Sequence, residues 1–204
     1  MNRLFRWFQF AGSAFWAVAL LSGCALTTDY VSLAYVPQAN VNKVPGADAV
    51  KLKVEVVDVR QTKDKVSAKK NGFGMEMAPI IAKEDVAQTL KKAVEVELTN
   101  RGFCLRDGGV TLVAELSKFY SDFKVGFWSG DAVAEVTMNV QVKKGDGSIA
   151  FSRIVTGEGT RPHLQIASGA NAKAALDAAL KNAVAELMGA ADFVNSLLKA
   201  AASS

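Results

Sequence analysis

Along much of the chain, apolar and polar residues alternate with a period of two, the mark of strands with one dry and one wet face. Residues 132–143 carry the clearest case. Ala132, Ala134, Val136, Met138, Val140 and Val142 point one way, while Glu135, Thr137, Asn139, Gln141 and Lys143 point the other. Val50, Leu52, Val54 and Val56 repeat the pattern against Lys51, Lys53 and Glu55. After Val110 the apolar positions begin even, at Leu112, Ala114 and Leu116, and turn odd at Phe119, Phe123 and Val125. A strand changes phase only by taking in an extra residue, so a bulge or bend is expected near Ser117-Lys118. Phe103-Cys104-Leu105 reads as a brief strand before the turn Asp107-Gly108-Gly109. Gly145-Asp146-Gly147 closes a hairpin into a further strand over 148–158.

Two stretches switch to helical spacing. Val86, Leu90, Val94 and Leu98 predict a helix over 84–100, with Glu84 and Asp85 at its positive end and Gly102 stopping it. A second helix is expected to start near Ser168 or Asn171, burying Ala172, Leu176, Ala179, Leu180, Ala183, Val184 and Leu187. Gly189 interrupts it, and Asp192 starts a last turn with Phe193, Leu197 and Leu198. Residues 61–83 read as a long, glycine-bearing loop with Lys63, Lys65, Lys69 and Lys70 near its start, apolar enough around 75–81 to pair as a short strand. Together these elements predict an α+β fold. A mainly antiparallel sheet of about five strands carries two amphipathic helices packed on one face.

The first residues follow a different pattern. Arg3 and Arg6 precede a run from Trp7 to Leu21 that is almost wholly apolar, and Leu21-Ser22-Gly23-Cys24 follows. The run is shorter than the roughly 20 residues a membrane-spanning helix needs. Leu21 stands where an ordinary secretory cleavage site wants a small residue. This layout is a lipobox, with cleavage after Gly23 and lipid on Cys24; a plain secreted protein and an uncleaved anchor are the competing readings. Expected organisation is a signal peptide over 1–23, a lipidated cysteine and tether over 24–49, and one domain over 50–204. Pro37, Pro45 and Gly46 support the tether, although residues 30–36 are apolar enough to add an edge strand.

Composition then narrows the function classes. The formal charge of +4 falls to +2 once Arg3 and Arg6 leave with the signal, which gives nucleic-acid binding no support. With Cys24 used for lipid, Cys104 has no partner in the chain and reads as a small core residue. One histidine, His163, and no second thiol leave zinc and Cys/His catalysis poorly supplied. No cofactor, metal or catalytic residue is assigned.

Asp58 and Arg60 share a strand face. The plainer reading is a local salt bridge, and the functional one an anion-contacting arginine steadied by its aspartate. Phe119, Tyr120, Phe123, Phe127 and Trp128 form the densest aromatic cluster of the mature chain, and Phe127-Trp128 is the candidate partner surface. The lysines of the 63–74 loop are candidates for lipid phosphates or anionic glycans, against a plain solvated loop.

Asn100-Arg101-Gly102-Phe103, residues 112–120, the terminal helix after Ser168 and Asp58-Val59-Arg60 resemble the YajG-like family of bacterial lipoproteins. The resemblance spans the lipobox and nearly all of the mature chain, and departs in the lysine-rich loop from Lys63 to Gly74. It implies a fold and an address, with no catalytic residues to carry over. By resemblance to bacterial lipoproteins, Cys24 would carry N-palmitoyl and S-diacylglycerol groups, and Ala25 would direct the protein to the outer membrane. More loosely, the layout is similar to accessory outer-membrane lipoproteins that activate cell-wall synthases. The function expected is a non-catalytic, lipid-anchored envelope protein whose periplasmic domain binds another envelope component, since no nucleophile–base set can be assembled from the sequence. The alternatives are a binding module for a lipid or cell-wall fragment, or an accessory regulator of cell-wall synthesis.

Overall fold

A computed structural model describes residues 26–126 and 128–202. The expected signal peptide, Cys24, Ala25 and Phe127 lie outside the described residues. In chain order the elements are β1 (Asp29–Val31), a 3-10 turn (Ala47–Ala49), β2 (Lys51–Asp58), β3 (Lys65–Lys70) and β4 (Glu76–Ala82). Then come α1 (Val86–Asn100), β5 (Cys104–Leu105), β6 (Val110–Lys124), β7 (Gly130–Lys143), β8 (Ile149–Leu164), α2 (Gly169–Gly189) and α3 (Ala191–Ala202).

β6 is the spine of the sheet. Along one edge it pairs antiparallel with β7 over its whole length, and β7 in turn pairs antiparallel with β8. Along the other edge it pairs parallel with β2 from Val110 to Leu116, then with β3 at Ser121. A register shift between Leu116 and Lys118 separates the two halves, at the place where the apolar pattern changes phase. Beyond β2 lies β5, and beyond β3 lie β4 and β1.

The expected five-strand, mainly antiparallel sheet with two helices is therefore corrected. Among the described residues the sheet has eight strands and mixed pairing, with β1–β4, β2–β5, β2–β6 and β3–β6 all parallel, and three helices accompany it. The missing strands lie where lysines suggested a loop. β3 runs between β4 and β6, so its middle is buried on both faces, and Val66, Ser67, Ala68 and Lys69 are all inside. Its polar members have partners that permit this. The Ser67 hydroxyl donates to the Ser121 carbonyl at 2.7 Å, and Lys69 Nζ lies 2.8 Å from Asp29 Oδ1.

The helices lie over the dry face. Every inward residue of β7 from Ala132 to Val142 is fully buried, together with Leu176, Leu180 and Phe193 of the helices. α2 crosses β8 at two glycines because nothing larger fits. A Cβ on Gly157 would stand 2.1 Å from the Ala183 nitrogen, and one on Gly159 would stand 2.2 Å from the Ala175 oxygen. The first helix starts two residues later than expected, with Asp85 as its cap accepting from the amides of Ala87 and Gln88, and Ser168 caps the second by accepting from that of Asn171.

The segment expected as a tether is bound to the domain along much of its length. β1 pairs with β4, the Ala34 amide donates to Asp177, and the Val44 amide donates to the Arg101 carbonyl. At its middle sits Glu97, fully buried on α1. Glu97 Oε1 accepts from the Tyr35 hydroxyl and the Gln38 amide, each at 2.8 Å, and Oε2 accepts from Arg101.

Candidate functional site

Four connections meet at one end of the sheet. β3 turns into β4 through residues 71–75, and β6 turns into β7 through residues 125–129. β8 passes to α2 through residues 165–168, and the described chain enters through Leu26 and Thr27. Between them opens a cleft of about 650 Å³, with Thr27, Lys70, Phe123, Trp128, Leu164 and Ile166 among its walls. A shallower hollow beside it adds Phe73 and Gly74.

The rim is apolar and outward-facing. Phe73 is 90% exposed, Trp128 86% and Ile166 69%, with Leu26 and Val125 also open to solvent. Single exposed apolar residues are ordinary, but Val125, Trp128 and Ile166 on the cleft, with Phe73 in the hollow beside it, form a patch of the kind that marks a contact surface. The tip that carries Phe73 is a formed turn. Asn71 Oδ1 accepts from the amides of Phe73 and Met75, and the Asn71 amide donates to the Met75 carbonyl. At the other tip a Cβ on Gly126 would fall 2.3 Å from the Ser129 oxygen, so the chain folds back tightly there.

Charges line the inner wall. Asp122 holds both Lys70 and Lys124, the latter at 3.1 Å, which places two cations against one carboxylate. Burial pushes the Asp122 carboxyl up, but hydrogen bonds from the two lysines outweigh it and leave the group below its ordinary value. Asp29 behaves alike. Burial raises it, while Lys69 and the Gly169 amide, at 2.8 Å, lower it further. That contact also sets an acidic group at the N-terminus of α2. Among the described lining residues there is no histidine or cysteine.

The other sequence candidates lie elsewhere. Arg60 does not reach the cleft. Its Nε donates to Asp58 Oδ1 at 2.9 Å and its Nη2 to Oδ2 at 2.7 Å, while further bonds run to the carbonyls of Phe119 and Lys63. The side chains of the pair are 7% and 8% exposed, so the guanidinium faces an internal carboxylate. His163 is exposed with a φ of 60°, its amide donating to Asp131. Cys104 is half-buried, and its thiol donates to the Asp48 carbonyl at 3.2 Å. Of the loop lysines, Lys65 pairs with Glu76. Sequence reasoning singled out Trp128 and passed over Phe73 and Ile166. The available signal was Gly72-Phe73-Gly74, an aromatic on a turn with no strand to carry it inward. Among the described residues no group of three His, Cys, Asp or Glu side chains is placed to hold a metal, and no helix is long and apolar enough to cross a membrane.

The sequence model of a family described as "Uncharacterized lipoprotein" matches residues 37–197. No curated protein matches the sequence. Among solved structures, a Xanthomonas campestris protein superposes with a TM-score of 0.58 at 15% identity, covering 85% of this chain and 97% of its own. A minor lipoprotein of Acinetobacter baumannii gives a TM-score of 0.46 at 10% identity, covering 72% and 95%. The first of these likenesses is one of fold.

Proposed function

We propose, from the premise that the chain belongs to this uncharacterized lipoprotein family, that it is a non-catalytic protein of the outer membrane whose periplasmic domain binds another envelope component. Lipoproteins are held at a membrane by covalently attached lipid. In this reading residues 1–23 are removed as a signal peptide, Cys24 carries the acyl chains, and the remaining chain forms one domain. The binding surface is the end of the sheet around Trp128.

The observation that supports this reading is the position of that surface. Thr27, three residues after Cys24, is a wall of the cleft, and Leu26 before it is exposed, so the proposed anchor lies close in sequence to the exposed apolar side chains of that end. A second reading rests on the cleft itself, since about 650 Å³ is enough for a small ligand such as a lipid or cell-wall fragment.

Three measurements test the proposal. Mass spectrometry of the mature N-terminus is expected to find an acylated Cys24, and Cys24→Ser is expected to release the protein from membranes. A photo-reactive residue at position 128, activated in intact cells, is expected to form adducts with an envelope component. An unacylated N-terminus rejects the anchor; an adduct-free position 128 on an acylated protein rejects the surface. Co-purifying glycan in place of an adduct favours the second reading.

A further inference from the structure

We propose that the component bound by this end of the domain is the bilayer itself, with Phe73, Trp128 and Ile166 entering the headgroup region beside the acyl anchor. The inference rests on the lipid-anchor reading above and names the occupant of the same surface.

Geometry carries it. Cys24 precedes Thr27 by three residues, which span at most about 10 Å even fully extended. Thr27 is a wall of the cleft and lies 3.4 Å from Lys69 Nζ, and Asp29, two residues on, is held by Lys69 and by the Gly169 amide. The point where the chain emerges is thus fixed to the sheet. A domain so closely leashed keeps this end against the lipid, and even a weak interfacial contact is then favoured by proximity.

The chemistry of the rim fits that place. Tryptophan and other amphipathic rings collect at the membrane–water boundary, where the ring is sheltered and its N–H stays wet. Phe73 stands on a turn closed by Asn71, and Trp128 lies where Gly126 approaches the Ser129 oxygen too closely for a Cβ, so both are presented outward on short connections. Behind them, Lys70 and Lys124 share Asp122 and leave a positive balance facing lipid phosphates. The opposite end of the β7–β8 hairpin differs in kind: its tip reads Lys144-Gly145-Asp146-Gly147-Ser148, with Ser148 bonded to Asp146.

A built-in probe makes the test direct. The sequence has three tryptophans, and Trp7 and Trp16 leave with the signal peptide, so the mature chain reports only through Trp128. The full acylated protein is placed in phosphatidylethanolamine–phosphatidylglycerol vesicles, and its emission is read with brominated acyl chains and with aqueous iodide. Expected are a blue-shifted emission, quenching by bromolipid, and protection from iodide on the order of twofold or more. Phe73→Ser with Ile166→Ser, both at exposed positions, is expected to weaken the bromolipid quenching without altering the circular dichroism.

Trp128 emitting as it does in water, from a protein that carries the acyl mass and floats with the vesicles, overturns the docking and leaves the anchor standing. Missing acyl mass together with lost flotation overturns both. Shielding of Trp128 in native envelope membranes but not in pure lipid also overturns it, in favour of a protein partner.

Discussion

Replacing Glu97 with alanine removes an acceptor that three parts of the chain share. The Tyr35 hydroxyl and Gln38 amide lose bonds of 2.8 Å, and Arg101, nearly buried beside it, loses its counter-charge. Removing one member of a buried ion pair costs about 3–5 kcal/mol, because the other charge is left without compensation. The Tyr35 and Gln38 donors lie nearer the surface and can recover water if the segment lifts, so the lower half of that range applies, about 3–4 kcal/mol. With a urea slope of roughly 2 kcal/mol per molar, the midpoint should fall by about 1.5–2 M. Glu97→Gln keeps an oxygen for Tyr35 and Gln38 but loses the charge, and should cost about 1–2 kcal/mol. The assay is urea unfolding of the full chain followed by circular dichroism, with limited proteolysis around residues 36–44 reporting whether this segment detaches first. A cost below about 1 kcal/mol for Glu97→Ala, with no new cleavage, would refute the view that this carboxylate fastens the segment to α1.

Three further outcomes follow from the geometry. Gly159→Ala forces a methyl within 2.5 Å of α2 backbone atoms at Ala175 and Ala179, and should cost about 3 kcal/mol or more, read as a lowered Tm; an unchanged Tm would mean that α2 does not lie so close. Arg60→Ala should destabilise by about 3 kcal/mol with Arg60→Lys restoring only part, since one ammonium cannot replace the bonds to Asp58 and two carbonyls; an unaltered unfolding midpoint would favour an anion-facing role. Acid should weaken the fold. In Glu97 burial raises the carboxyl, but Gln38, Tyr35 and Arg101 together hold it below its ordinary 4.5. Asp29, Asp58 and Asp122 are likewise held below 3.8. Groups depressed in the folded state contribute fully above their unfolded values, and that contribution is lost as pH falls through the folded ones. Urea midpoints should therefore be level from about pH 7 to 5 and drop below about pH 4.5; a midpoint that rises on acidification contradicts the sign.

What could be read from the sequence depended on whether one face of an element meets water. β7 was fully legible because its outward side chains are polar and its inward ones apolar, and the phase change in β6 located the shift at Leu116/Lys118. The helix starts were legible to within two or three residues: Asp85 was read as a charge in the first turn and is the cap, and Ser168, one of two starts considered, caps the other. β3 was not, because a strand covered on both sides holds Lys69 through partners remote in sequence, Asp29 forty residues earlier among them. Parallel pairing escaped as well, since alternation tells which way side chains point and nothing of strand direction. At the site, Trp128 stood out from its aromatic neighbours. Ile166 carried no signal, as its exposure is set by where the β8–α2 connection comes to rest.

The manner in which β1 joins the sheet bears on how the molecule withstands tension. Under the proposed anchoring at Cys24, drag on the domain reaches β1 first, where three residues pair side by side with Ile80, Ile81 and Ala82. That ladder and the contacts of Asp29 with Lys69 and the Gly169 amide stand between the load and the rest of the sheet. A short terminal strand placed this way acts as a mooring cleat, taking strain before it can reach the interior.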